Sequence, residues 1–122
     1  FALLRVAMTH GESIFEVKAE KKVRMFVDTG ATRTILPYKL ASEVGVNLTG
    51  FREEVSYGDG HKRELELANI PLSILGRRRV DTVWLDEIPE PILGTETLEG
   101  LGLKVNPREE RIEPSRSWVA RA

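Results

Sequence analysis

Apolar and polar residues alternate through short stretches of this chain, and glycine, proline and charged clusters separate those stretches. That pattern predicts short strands joined by tight turns. Residues 4–8 read as a first strand, closed by His10-Gly11. Residues 14–18 and 23–27 read as two more, and the polar run Ala19-Glu20-Lys21-Lys22 is expected to fold them into a hairpin. A short apolar strand follows at residues 34–36. Pro37 then opens a helix over residues 38–44, since proline suits a first helical turn, and Gly45 ends it.

The second half repeats the strand pattern. Residues 51–57 and 61–67 flank Gly58-Asp59-Gly60, a hairpin tip. Residues 70–75 and 79–85 flank Gly76-Arg77-Arg78, a second one. Ile92-Leu93-Gly94 follows two prolines. Thr95 is expected to cap a short helix that carries Glu96 in its first turn and ends near Gly100. Residues 103–105, a turn at Asn106-Pro107, and Arg111-Ile112 close the domain, taken as residues 1–113. Residues 114–122 form a polar tail with one large apolar side chain, Trp118. The expectation is one all-β domain with two short helices.

Composition narrows the chemistry. A chain of 122 residues with 41% hydrophobic content can bury a core as one domain. The net charge of −1 argues against a polyanion-binding protein. With no cysteine there is neither a disulfide framework nor a thiolate nucleophile. Two histidines, His10 and His61, make a histidine-rich metal site a poor fit, so neither metal nor cofactor is expected. No apolar run reaches the roughly 20 residues that span a bilayer. No leader pattern stands out, and the expected location is the cytoplasm. The start at Phe1 is compatible with processing from a longer polyprotein.

One stretch carries the chemistry. Asp28-Thr29-Gly30 follows the apolar run ending at Val27, and it occurs once. Asp and Gly are turn residues, so the tripeptide can be a plain strand-ending turn. The sharper reading is half of an active site. Hydrolysis of an amide needs one group to activate water and another to protonate the carbonyl oxygen or the amine. A carboxylate beside a carboxylic acid does both, and two such groups close together share a proton. This chain offers one carboxylate in that setting, so a second copy would supply the other.

Three motifs in order resemble the retropepsin-like aspartic proteases, the single-domain relatives of pepsin. They are Phe26-Val27-Asp28-Thr29-Gly30-Ala31-Thr32 with Ile35-Leu36, then Tyr57-Gly58-Asp59-Gly60, then Ile92-Leu93-Gly94 with its short helix. The resemblance covers residue 26 to about residue 100. It implies a retropepsin-like β-barrel forming one half of a two-fold active site, with catalytic Asp28 supported by Thr29, Gly30 and Ala31. Thr29 is expected to donate across the two-fold axis. Tyr57, Gly58, Asp59 and Gly60 are expected to form a flap, with Tyr57 over the cleft. Ile35, Ile88, Pro89 and Ile92 are expected to line apolar pockets, and Leu93 and Gly94 to buttress the catalytic loop. Two departures stand out: Thr32 replaces the acidic residue usual in retroviral members, and the flap tip is less glycine-rich.

The implied activity is an aspartic endopeptidase, a homodimer cutting polypeptide between hydrophobic residues. The strand near Leu3 to Val6 and the tail with Trp118 are candidates for the dimer contact; Trp118 packing on its own domain is the alternative. Ala31 removes a hydroxyl that in pepsin-like enzymes favours the ionised aspartate, so a weakly acidic optimum is expected. Glu90 and Asp59 read more simply as loop residues than as specificity contacts. The Arg77-Arg78-Arg79 run reads as a solvated turn, and without interleaved aromatics it gives no nucleic-acid site. A zinc site from His61 and Asp59 has a still weaker claim. The rival reading is a non-proteolytic dimeric binding or adaptor module on the same fold.

Overall fold

The computed structural model describes residues 2–10 and 13–118, with side chains from Lys21 onward. Nine strands and two helices run in the order β1 (Ala2–His10), β2 (Ser13–Val27), β3 (Ile35–Pro37), α1 (Tyr38–Val44), β4 (Asn47–Ser56), β5 (Lys62–Ile74), β6 (Arg77–Asp86), β7 (Ile92–Leu93), α2 (Thr95–Gly100), β8 (Leu103–Asn106) and β9 (Arg111–Pro114). Seven strands form one sheet in the order β1-β2-β7-β3-β6-β5-β4. It curls until β1 also pairs with β5, and β8 and β9 form a separate two-stranded sheet.

The expected hairpin at residues 19–22 is absent. β2 is one continuous strand, with Lys21 opposite Val6 and Lys22 opposite Arg5 of β1. The run that looked like a turn contains no Gly, Pro, Asn or Asp to bend the chain. The two strands expected at residues 61–67 and 70–75 are likewise one, β5. Pro71 sits where one edge of β5 changes partners, between Asn69 paired with β4 and Leu72 paired with β1. Proline is tolerated where a ladder donor is not required.

Period-two burial is clearest in β5, where Ala68, Ile70, Leu72 and Ile74 are buried and the residues between them are half-exposed. They meet Met25, Leu36, Val83, Leu85 and Leu93, while α1 adds Leu40, Ala41 and Val44 to the same core. Pro37 precedes α1, and Gly45 follows it at φ 66°, its N–H bonded to the Ala41 carbonyl. A second cluster of Ile35, Val55, Leu65 and Trp84 lies under the β4–β5 hairpin. That cover explains why the end of β6 is buried on both faces, from Val83 to Asp86.

Two further expectations are corrected, for the arginine run and for Thr95. The β5–β6 turn is Leu75-Gly76, both at positive φ, with Ile74 opposite Arg77. The arginine run therefore belongs to β6. Arg77 donates to the carbonyls of Leu101 and Gly102 at 3.0 and 2.8 Å, a structural role and not that of a solvated turn. Thr95 is the first residue of α2, and Gly94 occupies the cap position. Trp118 packs partly buried on its own domain core, with the guanidinium groups of Arg77 and Arg116 over its ring.

Candidate active site

Asp28 leaves the end of β2 beside β7. Phe26 and Val27 pair in parallel with Ile92 and Leu93, and Asp28 donates its backbone N–H to the Leu93 carbonyl at 3.1 Å. Ile92 also pairs with Ile35 of β3, so β7 is wedged between the two strands that flank the Asp28 loop. The loop folds back on itself. Gly30 N–H donates to Asp28 Oδ1 at 2.9 Å, and Ala31 N–H to the Asp28 carbonyl at 3.1 Å. A Cβ at Gly30 would sit 3.2 Å from that same Oδ1, tight against the carboxylate.

The loop is also tied from behind. The first N–H groups of α2, which have no partner within the helix, donate to it: Thr95 to the Ala31 carbonyl at 2.9 Å and Glu96 to the Thr32 carbonyl at 2.8 Å. Below them runs a buried chain of hydroxyls. Gly94 N–H donates to Thr34 Oγ1 at 3.1 Å, the Thr34 and Thr97 hydroxyls share a hydrogen bond at 2.6 Å, and Thr97 donates to Asp81 Oδ2 at 2.6 Å. Burial raises the Asp81 pKa above the ordinary carboxylate value, opposed by the Thr97 hydrogen bond and by Arg79. Gly94 has no room for a side chain: a Cβ would lie 2.4 Å from the Arg33 backbone carbon.

The cleft in front of Asp28 has a volume of about 420 Å³. Gly30, Ala31 and Thr32 form one wall, Ile35, Trp84 and Ile92 the apolar floor, and Val55, Tyr57 and Gly58 the overhanging flap. Asp59 and Gly60 sit at the tip and do not line it. The tip is held by Tyr57 N–H to the His61 carbonyl and Gly60 N–H to the Tyr57 carbonyl, each 2.9 Å. The Tyr57 and His61 rings stack with centroids 5.0 Å apart. Asp59 accepts from the His61 backbone and ring, which hold its carboxyl below the usual range.

Polar contacts pin the underside of the flap to the body. Glu53 Oε1 accepts from Trp84 Nε1 at 2.8 Å and from Arg33 Nε at 3.3 Å. Tyr57 donates its hydroxyl to Asp86, which also pairs with Arg63 at 3.0 Å. Sequence reasoning missed Glu53, Trp84 and Asp86. Asp86 could have been found, since it ends the apolar run Val83-Trp84-Leu85 much as Asp28 ends its own. Phe26, treated only as part of a strand, is 48% exposed two positions before Asp28.

Two expected pocket residues lie elsewhere. Ile88 and Pro89 line a different groove, with Lys22, Lys39 and Pro91, because the loop bearing them turns toward β2 and α1. Ile88 reaches the cleft only indirectly, packing against the cluster that includes Ile35 and Trp84. Thr29 faces away from the cleft, into a separate notch with Val27 and Ile112. Among the described residues no group of His, Asp and Glu is arranged to hold a metal ion, and no helix is long and apolar enough to cross a membrane.

A strand-borne Asp-Thr-Gly loop, a tyrosine flap above it and an apolar-apolar-Gly strand wedged beside it define a retropepsin-like aspartic protease fold. The family model described as "gag-polyprotein putative aspartyl protease" matches residues 16–100, and the chain belongs to that family. Among solved structures, EIAV protease complexed with the inhibitor HBY-793 superposes with a TM-score of 0.58 at 20% identity, covering 70% of this chain and 82% of that one. At that identity the likeness concerns the fold. No curated protein matches the chain in sequence.

Proposed function

We propose that the protein is an aspartic endopeptidase that works as a homodimer, with Asp28 of each copy at one shared site. The observation that carries this reading is Asp28 itself, fixed by Gly30 at the head of a cleft with an apolar floor and a flap. One ionised Asp28 takes a proton from water as the oxygen attacks the peptide carbonyl carbon. The protonated Asp28 of the other copy gives its proton to the carbonyl oxygen. When the C–N bond breaks, the amine nitrogen takes up a proton and the dyad returns to one shared proton.

The substrate is a polypeptide lying extended between flap and floor, pairing through its backbone. Ile35, Trp84 and Ile92 favour apolar side chains beside the cut. Ala31 offers no hydroxyl to the dyad, so activity peaking in the weakly acidic range is the expected outcome.

The test is digestion of an unfolded polypeptide from pH 3 to 7 by the wild type and by Asp28→Asn, with pepstatin as a second control. Cleavage at apolar sites that disappears in the variant supports the reading. A folded dimer that cuts nothing at any pH would leave the binding module in its place.

A further inference from the structure

The loop that carries Ile88 and Pro89 out of the cleft builds a second recess. With β2 and α1 it bounds a groove of about 400 Å³. The loop gives this groove apolar surface through Ile88, Pro89 and Pro91, of which Pro89 is exposed and Ile88 half-buried. The charged side chains are Lys21, Lys22 and Arg24 from β2 and Lys39 from α1. Glu43 is the one carboxylate among the lining residues, and Lys21 pairs with it. Lys22 and Lys39 are both exposed. A chain of net charge −1 therefore concentrates four positive side chains against one negative one at this recess. Such a surface favours an acidic ligand that also carries apolar side chains. No aromatic residue lines the groove, so it lacks the stacking platform that a single-stranded nucleic acid uses.

The groove also leads to the site. Alternation along β2 exposes Lys22, Arg24 and Phe26 on one face, while Met25 is buried and Val23 and Val27 pack against the core. Asp28 follows two positions after Phe26, at the end of the strand. Lys22 lies six positions before Asp28, about 20 Å along an extended strand. Pro91 lines the groove, and Ile92, next in the chain, lines the cleft.

We propose that this groove is a docking site for acidic segments of the polypeptide substrate, which it holds outside the cleft. The inference rests on the protease reading above and adds where a more distant part of the substrate is bound. A segment carrying Asp or Glu among apolar residues, about six to ten positions from the cut bond, spans the distance from Asp28 to Lys22.

The test uses the full-length protein and two peptides that share one apolar core, flanked on both sides by tails of about ten residues. The tails are rich in Glu and Leu in one peptide, and Gln replaces every Glu in the other. Lys22→Glu combined with Lys39→Glu reverses two exposed charges; melting curves check that the variant folds. Wild type is expected to cut the acidic peptide with a KM about tenfold below that of the Gln peptide, at similar kcat, and the variant to lose that difference. Binding of the acidic tail alone, read by fluorescence anisotropy, should weaken with salt and be lost in the variant. Equal KM values for the two peptides in wild type, or a difference that the folded variant retains, overturn the docking site and leave the protease reading standing. A wild type that cuts neither peptide counts against the protease reading. Tail binding then decides the groove by itself: binding that the variant loses supports it, and equal binding by both proteins, or none, overturns it. A uridine oligonucleotide that displaces the bound tail, and whose own affinity falls in the variant, marks the groove as a nucleic-acid site and overturns the proposal.

Discussion

Tyr57 on the flap donates its hydroxyl to Asp86 at the end of β6, a carboxylate only 2% exposed. Asp86 is further satisfied by Arg63 at 3.0 Å and by the Glu87 N–H at 2.7 Å. The flap is therefore fastened at its base by a phenol and an arginine that share one carboxylate. Tyr57→Phe removes one of these contacts and leaves the other two. The flap loosens, so KM for a peptide substrate should rise several-fold while the protein loses about 1–3 kcal/mol of stability. Steady-state kinetics and urea titration check this together; an unchanged KM would show that the fastening does not govern substrate binding.

The same contact predicts an alkaline signature. Desolvation, followed by the hydrogen bond to Asp86, pushes the Tyr57 phenol up to about 12. Its pKa is raised on folding, so its contribution to stability is complete below the ordinary value of 10.0 and is lost as pH climbs from there toward 12. Ultraviolet titration should give a late phenolate step that Tyr57→Phe removes. Tyr38 is also shifted upward, chiefly by burial, and its step remains in the variant.

Asp81 behaves in the opposite part of the pH scale. Burial raises its pKa, so folding favours its protonated form, and native stability falls as pH rises from the usual carboxylate range through the raised value. Asp81→Asn keeps a side chain of similar shape without the charge. Denaturation midpoints of variant and wild type should shift in favour of the variant between pH 3 and pH 7. Thr97→Ala, by contrast, breaks the hydroxyl chain to Asp81 and Thr34 and should cost about 1–3 kcal/mol.

Gly94→Ala tests the wedge beside the catalytic loop. Gly94 has φ −93°, open to any residue, so the obstacle is purely contact with the Arg33 and Thr32 backbone at 2.4 to 2.8 Å. Overpacking against backbone costs about 1–3 kcal/mol. Both the melting temperature and cleavage should drop, because relief requires Arg33 and Thr32 to move and the loop bearing Asp28 to move with them.

What the sequence disclosed depended on how local the cause was. Helix α1 was legible at both ends because Pro37 and Gly45 act on their own neighbours. The turn at Asp28 was legible because Asp and Gly are turn residues placed directly after an apolar strand. The continuity of β2 was hidden by Glu20-Lys21-Lys22, which reads as a turn until β1 is known to lie alongside. The end of an apolar run marked Asp86 as a position to examine, but its partner Tyr57 and the Glu53–Trp84 pair lie 29 and 31 residues apart in sequence, and no local pattern announces such pairings. Pro89 was misplaced for the same reason, since the path of its loop depends on what β2 and α1 leave open.

The attachment of α2 to Ala31 and Thr32 has a consequence for anyone who would move this chemistry to another scaffold. The segment that supplies Asp28 and the one that holds it in place are separated by about sixty residues of sheet and flap, yet they meet with no clearance at Gly94 and Arg33. The portable unit is thus two pieces of chain, residues 26–35 and 92–97. Carrying the first without the second would transplant a carboxylate but not its setting.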